Sequence, residues 1–399
     1  MWKNKFPPYI GYTVEEYILN EDMCRDILQQ AINDALVMFP RMTYSCVLED
    51  DELYCVENNM PLEVQITEEP LLPDGENLNG HLISFSIWGK RLVFICHHSL
   101  ADGVGATTFS HYVIHRYAEL MSGTASDVTE TWCDVDLMNQ EIDVNKLDYI
   151  ELSKSDITIP KGMDYKQEPH EICYTTDNFL VNEEKFIGYV KERKASPTVA
   201  VGALLAKQLL DSDPEGDKPV NFDIPCNIRK HVGLENSFTN CVSSIYLSVT
   251  RDDIQKENHM EELSKCLKHR ASRDYTLYTL RKIGTGRESY LYRVHINPQF
   301  SISYLGNKDI DNLHFIKKFN LYRFMAGAVI IDMNVQNGCF HFSVSGDNRD
   351  NPIAELLKNA FREIGLEIYD ECKVVLTPGN GKTIIEHCNS ENDISDKDY

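Results

Sequence analysis

The sequence of 399 residues predicts an α/β (α+β) protein made of two domains. The chain is long for one compact core, because single cores stop growing at about 250–300 residues. Strand alternation and helical periodicity both recur in each half of the chain. Between the halves, residues 122–170 are polar, acidic and weakly periodic, as expected of a long connection. We therefore predict domains at residues 1–165 and 166–385, followed by a polar tail at 386–399.

The first half begins with a helix and a hairpin. Residues 21–39 carry apolar side chains at helical spacing, and Pro40 ends the helix. In HLISFSIWGKRLVFICHH, residues 81–98, apolar residues first alternate with serines, and Trp88-Gly89-Lys90 then forms a turn. The returning arm is apolar on both faces, which is typical of a central strand. A second amphipathic helix starts after Gly103 and ends near Gly123.

The second half repeats this mixture. Strands are predicted within residues 170–181, 218–230, 240–250 and 300–306, and a hairpin with an Asn-Gly turn is predicted at 328–346. Helices are predicted at residues 183–194 and 252–270. Two further helices have a polar cap followed by proline, at Ser196-Pro197 and at Asn351-Pro352.

Charge and composition exclude several classes of function. A net charge of −23 disfavours nucleic acid and anionic lipid heads as partners. No apolar run is long enough to span a membrane, and the first residues do not have the pattern of a secretory signal. The twelve cysteines are scattered and form no CxxC pair, which indicates reduced, buried thiols. We expect a cytoplasmic protein.

The stretch FICHHSLADGVGATTF, residues 94–109, carries the strongest chemical signal. An apolar strand ends in His97 and His98, Asp102 follows, and Gly103 precedes a helix. Histidine can take up and return a proton near neutral pH, and the end of a strand holds a side chain rigidly. The alternative is a pair of ordinary strand-end histidines, with Asp102 serving only as a helix cap. The complete pattern is more demanding than the histidine pair alone.

HHSLADG, residues 97–103, resembles the HHxxxDG signature of the CoA-dependent acyltransferase superfamily. The resemblance extends loosely over residues 10–366, because MFP, SPTVAVGALLAK, PCNIRK and ISYLG follow in a similar order. It implies two chloramphenicol-acetyltransferase-like domains in a V-shaped pseudo-dimer, with mixed sheets and an active-site tunnel between the domains.

The resemblance also implies roles for particular residues. His98 would be the general base, and His97 would be structural. Asp102 would pair with an arginine and orient the motif; the candidates are Arg229 and Arg41, and the sequence does not choose between them. Gly103 would keep the tunnel clear.

An oxyanion donor is also expected, and Ser303 in FSISYLG resembles the small polar residue that faces the histidine in this superfamily. Tyr304 replaces the asparagine that often follows there. A buried serine whose hydroxyl bonds to the backbone is an equal alternative.

The resemblance implies transfer of an acyl group from acyl-CoA, as cosubstrate, to a hydroxyl or amine acceptor. The sequence has no DFGWG motif, which argues against the plant BAHD group. Two alternatives remain: a freestanding condensation-type domain that takes its acyl group from a carrier protein, and a non-catalytic binding protein with this fold.

Other signals are weaker. His111 and His115 have a zinc-compatible spacing but no evident third ligand, so no metal is expected. TPGNGKT at residues 377–383 lacks the first glycine of a P-loop, and GTGRES at 284–289 lacks the third glycine of a dinucleotide site. The basic pairs at residues 281–282 and 317–318 are candidates for contacting the phosphates of CoA.

Overall fold

Mixed sheets and helices make up the protein, as a computed structural model shows. It describes residues 11–49, 52–73, 78–123, 140–148, 159–163, 173–283, 293, 295–307, 315–325, 328–379 and 382–389. The described strands are β1 (Gly11–Leu19), β2 (Ser45–Glu49), β3 (Glu52–Val56), β4 (Gln65–Ile66), β5 (Ile83–Trp88), β6 (Arg91–His97), β7 (Tyr174–Asn182), β8 (Val220–Asn227), β9 (Val242–Val249), β10 (Phe300–Asn307), β11 (Ile316–Met325), β12 (Ile330–Gln336), β13 (Cys339–Gly346), β14 (Ile368–Gly379) and β15 (Lys382–Asn389).

Along the chain, the described α-helices mainly connect these strands. They are α1 (Arg25–Met38), α2 (Gly103–Ser122), α3 (Glu183–Glu192), α4 (Pro197–Ser212), α5 (Arg229–Val232), α6 (Arg251–Ile254), α7 (His259–Arg270), α8 (Arg273–Ile283) and α9 (Pro352–Glu363). Short 3-10 helices occur at Pro40–Thr43 and Val144–Lys146.

Most elements predicted in the first half are confirmed, including helix α1, the β5–β6 hairpin and helix α2. Gly123 ends α2 in the left-handed conformation that glycine adopts without steric cost. The central strand β1 was not predicted. Its sequence, GYTVEEYIL, places two adjacent glutamates inside a strand that is buried on both faces.

In the second half, two predicted helix details are wrong. The segment 252–270 contains two helices, α6 and α7, rather than one. Asn351 does not cap α9 with its side chain, because its amide donates to the Asp177 carboxylate and to the Val344 carbonyl. By contrast, the Ser196 hydroxyl caps α4 as predicted. The Asn337-Gly338 turn has the two positive φ angles that its sequence predicts.

The first sheet contains a strand from late in the chain. Its order is β11-β1-β6-β5-β4, and β11 pairs antiparallel with β1 along the whole of β1. Helices α1 and α2 supply apolar side chains to the core on one side of this sheet. Because β11 is distant from β1 in sequence, the two halves of the chain are joined within this sheet. The domain boundaries drawn from the sequence remain a prediction.

The second sheet has eight strands in the order β15-β14-β7-β13-β12-β10-β8-β9. Strand β10 runs parallel to both β8 and β12, so the sheet is mixed. Strand β15 includes residues 386–389, which the sequence analysis assigned to the tail. Residues 386–389 pair with strand β14, and this pairing extends β15 into the predicted tail.

The central strands of the second sheet alternate between an apolar and a polar face. The apolar side chains form one core with helices α4 and α9. They are Phe179, Val181, Phe300, Ile302, Ile331, Met333, Phe340, Phe342 and Val344. The opposite face carries Thr176, Asn178, Ser301, Ser303, Asp332, Asn334, Ser343 and Ser345. We call these side chains the polar face. Arg323 of β11 contacts the polar face, because its Nε donates a hydrogen bond to the Asp332 carboxylate.

Helix α4 lies close to β8, and this packing leads to a stability prediction. A Cβ built on Gly202 of α4 would lie 2.4 Å from the ring of Phe222. That ring is buried and stacked on Phe300, so it has little room to move. We expect Gly202→Ala to lower the free energy of unfolding by about 1–3 kcal/mol through overpacking.

Gly188 of α3 is the matched control for this measurement. No heavy atom lies within 4 Å of a Cβ built there, and alanine favours a helix. Gly188→Ala should therefore raise the free energy of unfolding by about 0.5–1 kcal/mol. Urea unfolding of both variants measures the difference, and equal values for the two would contradict the tight packing of α4.

Candidate active site

His98 lies one residue beyond the end of β6, at the point where the chain turns toward helix α2. Strand β6 is buried on both faces and pairs with β1 and β5, so this exit is held on two sides. The His98 backbone N–H donates to the Gly11 carbonyl oxygen at 2.8 Å. The His98 side chain is half-buried.

The His98 imidazole favours its neutral form. Burial lowers its pKa from the ordinary value, and the positive charge of Arg323 lowers it further. The carboxylates of Asp102 and Asp332 act in the opposite direction but do not reverse the shift. A neutral imidazole has a nitrogen that can accept a proton from a substrate.

His97 occupies a different environment. Its Nδ1 accepts a hydrogen bond from the Ser99 backbone N–H at 3.2 Å and lies 2.7 Å from the Ser99 hydroxyl. The edge of its ring packs against Tyr12. Burial, together with the neighbouring His98, lowers the pKa of His97 to about 4. The surroundings of His97 therefore fix its ring within the protein.

Asp102 anchors the turn after the histidines. Its carboxylate caps α2 by accepting from the Gly105 backbone N–H at 2.8 Å, and it also accepts from the Cys241 N–H at 2.9 Å. Both carboxylate oxygens contact the Arg229 guanidinium, at 3.0 and 2.9 Å. Of the two candidate arginines, Arg229 is thus the one in contact with Asp102. Arg41 forms an ion pair with Glu141 instead.

The space beside Gly103 is filled by an arginine that the sequence analysis did not single out. A Cβ on Gly103 would lie 2.8 Å from the Arg323 Nη2 atom. The Arg323 Nε donates to Asp332 at 3.1 Å, and its Nη1 donates to the Thr13 hydroxyl at 2.8 Å. Arg323 of β11 is therefore hydrogen-bonded to both β1 and β12, and its guanidinium lies next to Gly103 of the motif. Its only sequence signal was a cation inside an apolar stretch.

Ser303 lies on the polar face, half-buried, in register with Asp332 on the neighbouring strand. The same row continues through Ser343 to Asn178, and the Ser343 hydroxyl donates to the Asn178 side-chain oxygen at 2.7 Å. Side chains of paired residues point to the same face. Ser303 and Asp332 therefore face the same side of the sheet, and Asp332 reaches Arg323 beside Gly103. The Tyr304 side chain is exposed.

The weaker sequence signals fall in separate places. No three potential metal-ligating side chains come together among the described residues, which include His111 and His115. In TPGNGKT, residues 377–379 end β14 and residues 382–383 begin β15, whereas GTGRES is outside the described residues. The pair Arg281-Lys282 is exposed at the end of α8, whereas Lys318 on β11 is 3.5 Å from Asp370.

Comparisons with known proteins support the fold. No protein-family model matches the sequence, and no curated protein matches it. Polyketide synthase associated protein 5 from Mycobacterium tuberculosis has a similar structure, with a TM-score of 0.63, at 12% identity over 88% of this chain and 93% of that protein. The TRI101 protein of F. graminearum, complexed with coenzyme A and T-2 mycotoxin, gives 0.63 at 13% identity over 91% and 97%.

A third similar structure is the epimerization domain from the third module of tyrocidine synthetase B. Its TM-score is 0.57 at 10% identity, over 89% of this chain and 90% of that domain. The chain thus has the chloramphenicol-acetyltransferase-like fold, as the sequence resemblance predicted. None of the described helices is long and apolar enough to cross a membrane.

The buried Asp102–Arg229 pair leads to a second stability prediction. Asp102→Asn leaves the Arg229 charge buried without its counter-ion, and breaking such a pair costs about 3–5 kcal/mol. Asp211→Asn is the control, because the Lys207–Asp211 pair is exposed and its loss should cost at most about 1 kcal/mol. Urea unfolding of the two variants compares these costs. A loss at Asp102 no larger than the loss at Asp211 would contradict the anchoring role.

Proposed function

We propose that this protein transfers an acyl group from acyl-CoA to a hydroxyl or amine acceptor, with His98 as the general base. The observation that carries the proposal is the state of His98. Its backbone is hydrogen-bonded at the end of a central strand, its surroundings lower its pKa, and it belongs to an HHxxxDG sequence in a chain with this fold. Among the neighbours of that fold, TRI101 was crystallised with coenzyme A.

In the proposed reaction, the acceptor oxygen or nitrogen attacks the thioester carbonyl while His98 removes its proton. The tetrahedral intermediate collapses, the carbon–sulfur bond breaks, and the imidazolium of His98 returns the proton to the departing thiolate. Free CoA and the acylated acceptor are the products. Both substrates meet at one imidazole, so no covalent acyl-enzyme is needed and proximity supplies much of the rate.

His98 suits this role better than His97 for a geometric reason. The Nδ1 of His97 already accepts from Ser99, and its ring is packed against Tyr12. A general base needs a nitrogen that can reach the substrate proton. We therefore assign the base to His98 and a supporting role to His97.

The polar face supplies candidates for binding the reacting groups. Ser303 is the proposed oxyanion donor, since its hydroxyl can donate to the developing negative charge. Asn178 and Ser343 continue the same row and offer further hydrogen-bonding groups. A wall of hydroxyl and amide groups suits a polar acceptor such as an alcohol or amine. The basic pairs at residues 281–282 and 317–318 are the proposed contacts for the CoA phosphates.

A carrier-protein-bound acyl donor is the second candidate. It is favoured by the similarity to a domain of tyrocidine synthetase B and to a condensation domain of the enacyloxin polyketide synthase. Here an acyl carrier protein would replace CoA as the partner, and the chemistry at His98 would be unchanged. A non-catalytic binding protein with this fold is the third alternative.

The decisive experiment measures release of free thiol from acetyl-CoA and longer acyl-CoAs against a panel of alcohols and amines. We expect acceptor-dependent release that falls about 10²–10⁴-fold in His98→Ala, the range for loss of a general base. His97→Ala should retain more activity. Release unaffected by His98→Ala would overturn the assignment of the base. Release only from a carrier-bound donor would support the second candidate.

The electrostatics of the site predict the pH dependence of the activity. Because the pKa of His98 is lowered, the neutral base should persist below pH 6.5, and kcat/KM should fall only as the pH drops through this lower value. Arg323→Met removes the positive charge and leaves the Asp332 carboxylate near the imidazole. Losing that charge raises the His98 pKa, so the acid limb should move to higher pH.

Arg293→Met is the matched control for this profile. Arg293 also pairs with a buried aspartate, Asp223, but it is not among the charges that act on His98. Its variant should keep the wild-type acid limb even if it is less stable. An unchanged limb in Arg323→Met would show that Arg323 does not control the protonation of the base.

A further inference from the structure

Two cysteines face each other across the hairpin formed by β2 and β3. Cys46 and Cys55 are directly paired in register, and their sulfur atoms are 3.5 Å apart as free thiols. Directly opposed residues of antiparallel strands have Cα atoms about 4.5–5.5 Å apart. This spacing lies within the range that a disulfide spans. A bond between the two sulfurs therefore requires little movement of the backbone.

The two thiols differ in exposure and acidity. Cys46 is buried, whereas Cys55 is exposed to solvent. The pKa of Cys55 is lowered to about 7, mainly because the Cys46 thiol donates a hydrogen bond to the Cys55 sulfur. The nearby positive charge of Arg41 also lowers this pKa, whereas burial and the Glu141 carboxylate raise it. The pKa of Cys46 is raised. Cys55 is thus the accessible thiolate, and Cys46 holds the proton.

We propose that Cys46 and Cys55 form a reversible dithiol–disulfide site that reacts with low-molecular-weight disulfides. The Cys55 thiolate attacks one sulfur of the reagent, the reagent's sulfur–sulfur bond breaks, and one thiol leaves. Cys46 then loses its proton and attacks the Cys55 sulfur, which releases the second thiol. The two cysteines are oxidised to a disulfide while the reagent is reduced to two thiols.

The pairing favours the second step as well as the first. The hydrogen bond to Cys55 and the charge on it are two of the three causes that raise the Cys46 pKa. Both are lost once Cys55 has become a neutral mixed disulfide, and only burial remains as a cause. The Cys46 thiol therefore becomes more acidic when it is needed as the resolving nucleophile.

The site adjoins the histidine motif without sharing a residue with it. The Cys46 sulfur is 4.0 Å from the Ser99 hydroxyl oxygen, and that oxygen is 2.7 Å from the His97 Nδ1. The proposal concerns the thiols alone, so it does not depend on the proposed acyl transfer.

The first test treats the reduced full-length protein with oxidised glutathione at pH 7, followed by acid quenching and peptide mapping. We expect a cross-linked peptide pair joining Cys46 to Cys55, lighter by two hydrogens. Cys46→Ala should retain one glutathionyl group on Cys55, and Cys55→Ser should form neither product. Cys24→Ser is the control, because Cys24 is an exposed cysteine on another element, and this variant should behave like the wild type.

The second test follows the alkylation of Cys55 by iodoacetamide as a function of pH. The midpoint of the rate should lie near pH 7 in the wild type and rise toward the ordinary thiol value of about 8.5 in Cys46→Ala. The midpoint is a sharper readout than the rate at pH 7, because a less acidic thiolate is also more nucleophilic. A wild-type midpoint of about 8.5, or no cross-link under conditions that modify Cys24, would overturn the proposal.

Discussion

The ion pair between Asp102 and Arg229 is the interaction on which the candidate site depends. A buried carboxylate is costly unless its oxygens are fully bonded. Here Asp102 is held by the Gly105 and Cys241 backbone N–H groups as well as by Arg229, whose other N–H groups donate to the Ser237 and Thr239 carbonyls. These bonds tie the start of α2 to the segment that follows β8. The turn that carries His98 is therefore fixed by the ion pair between its own Asp102 and Arg229, which comes from a distant part of the chain.

A second buried ion pair, Arg323–Asp332, places two opposite charges near His98, and both charges affect the pKa of its imidazole. The arginine lies against Gly103, where any side chain would collide with it, and its charge favours the neutral imidazole. The paired aspartate limits this effect, because its own charge acts in the opposite direction. The absence of a side chain at Gly103 is thus explained by the Arg323 guanidinium beside it, whose charge adds to the effect of burial on the His98 pKa.

Sequence patterns predicted the elements whose apolar spacing is regular, including the β5–β6 hairpin and helices α2 and α4. They did not predict β1 or β11, for a physical reason. The buried Glu15 is satisfied by the hydroxyls of Tyr17, Thr107 and Ser110, which come from other positions in the fold. Strand β1 contains adjacent glutamates and β11 contains adjacent lysines, so their sequences resemble those of solvent-exposed segments. The motif itself was recognisable, but Arg323 was not, because its role arises from a strand pairing more than 300 residues apart.

This dependence on distant pairing places the candidate site at the junction of the two sheets. The first half of the chain supplies His97, His98 and Asp102, yet both arginines that organise them come from the second half. Ser303 and the rest of the polar face also come from the second half. The positive charge beside His98 and the fixed turn therefore both depend on the second half of the chain, through Arg323 and Arg229. The candidate site is therefore built from both halves of the chain, and neither half contains all of its residues.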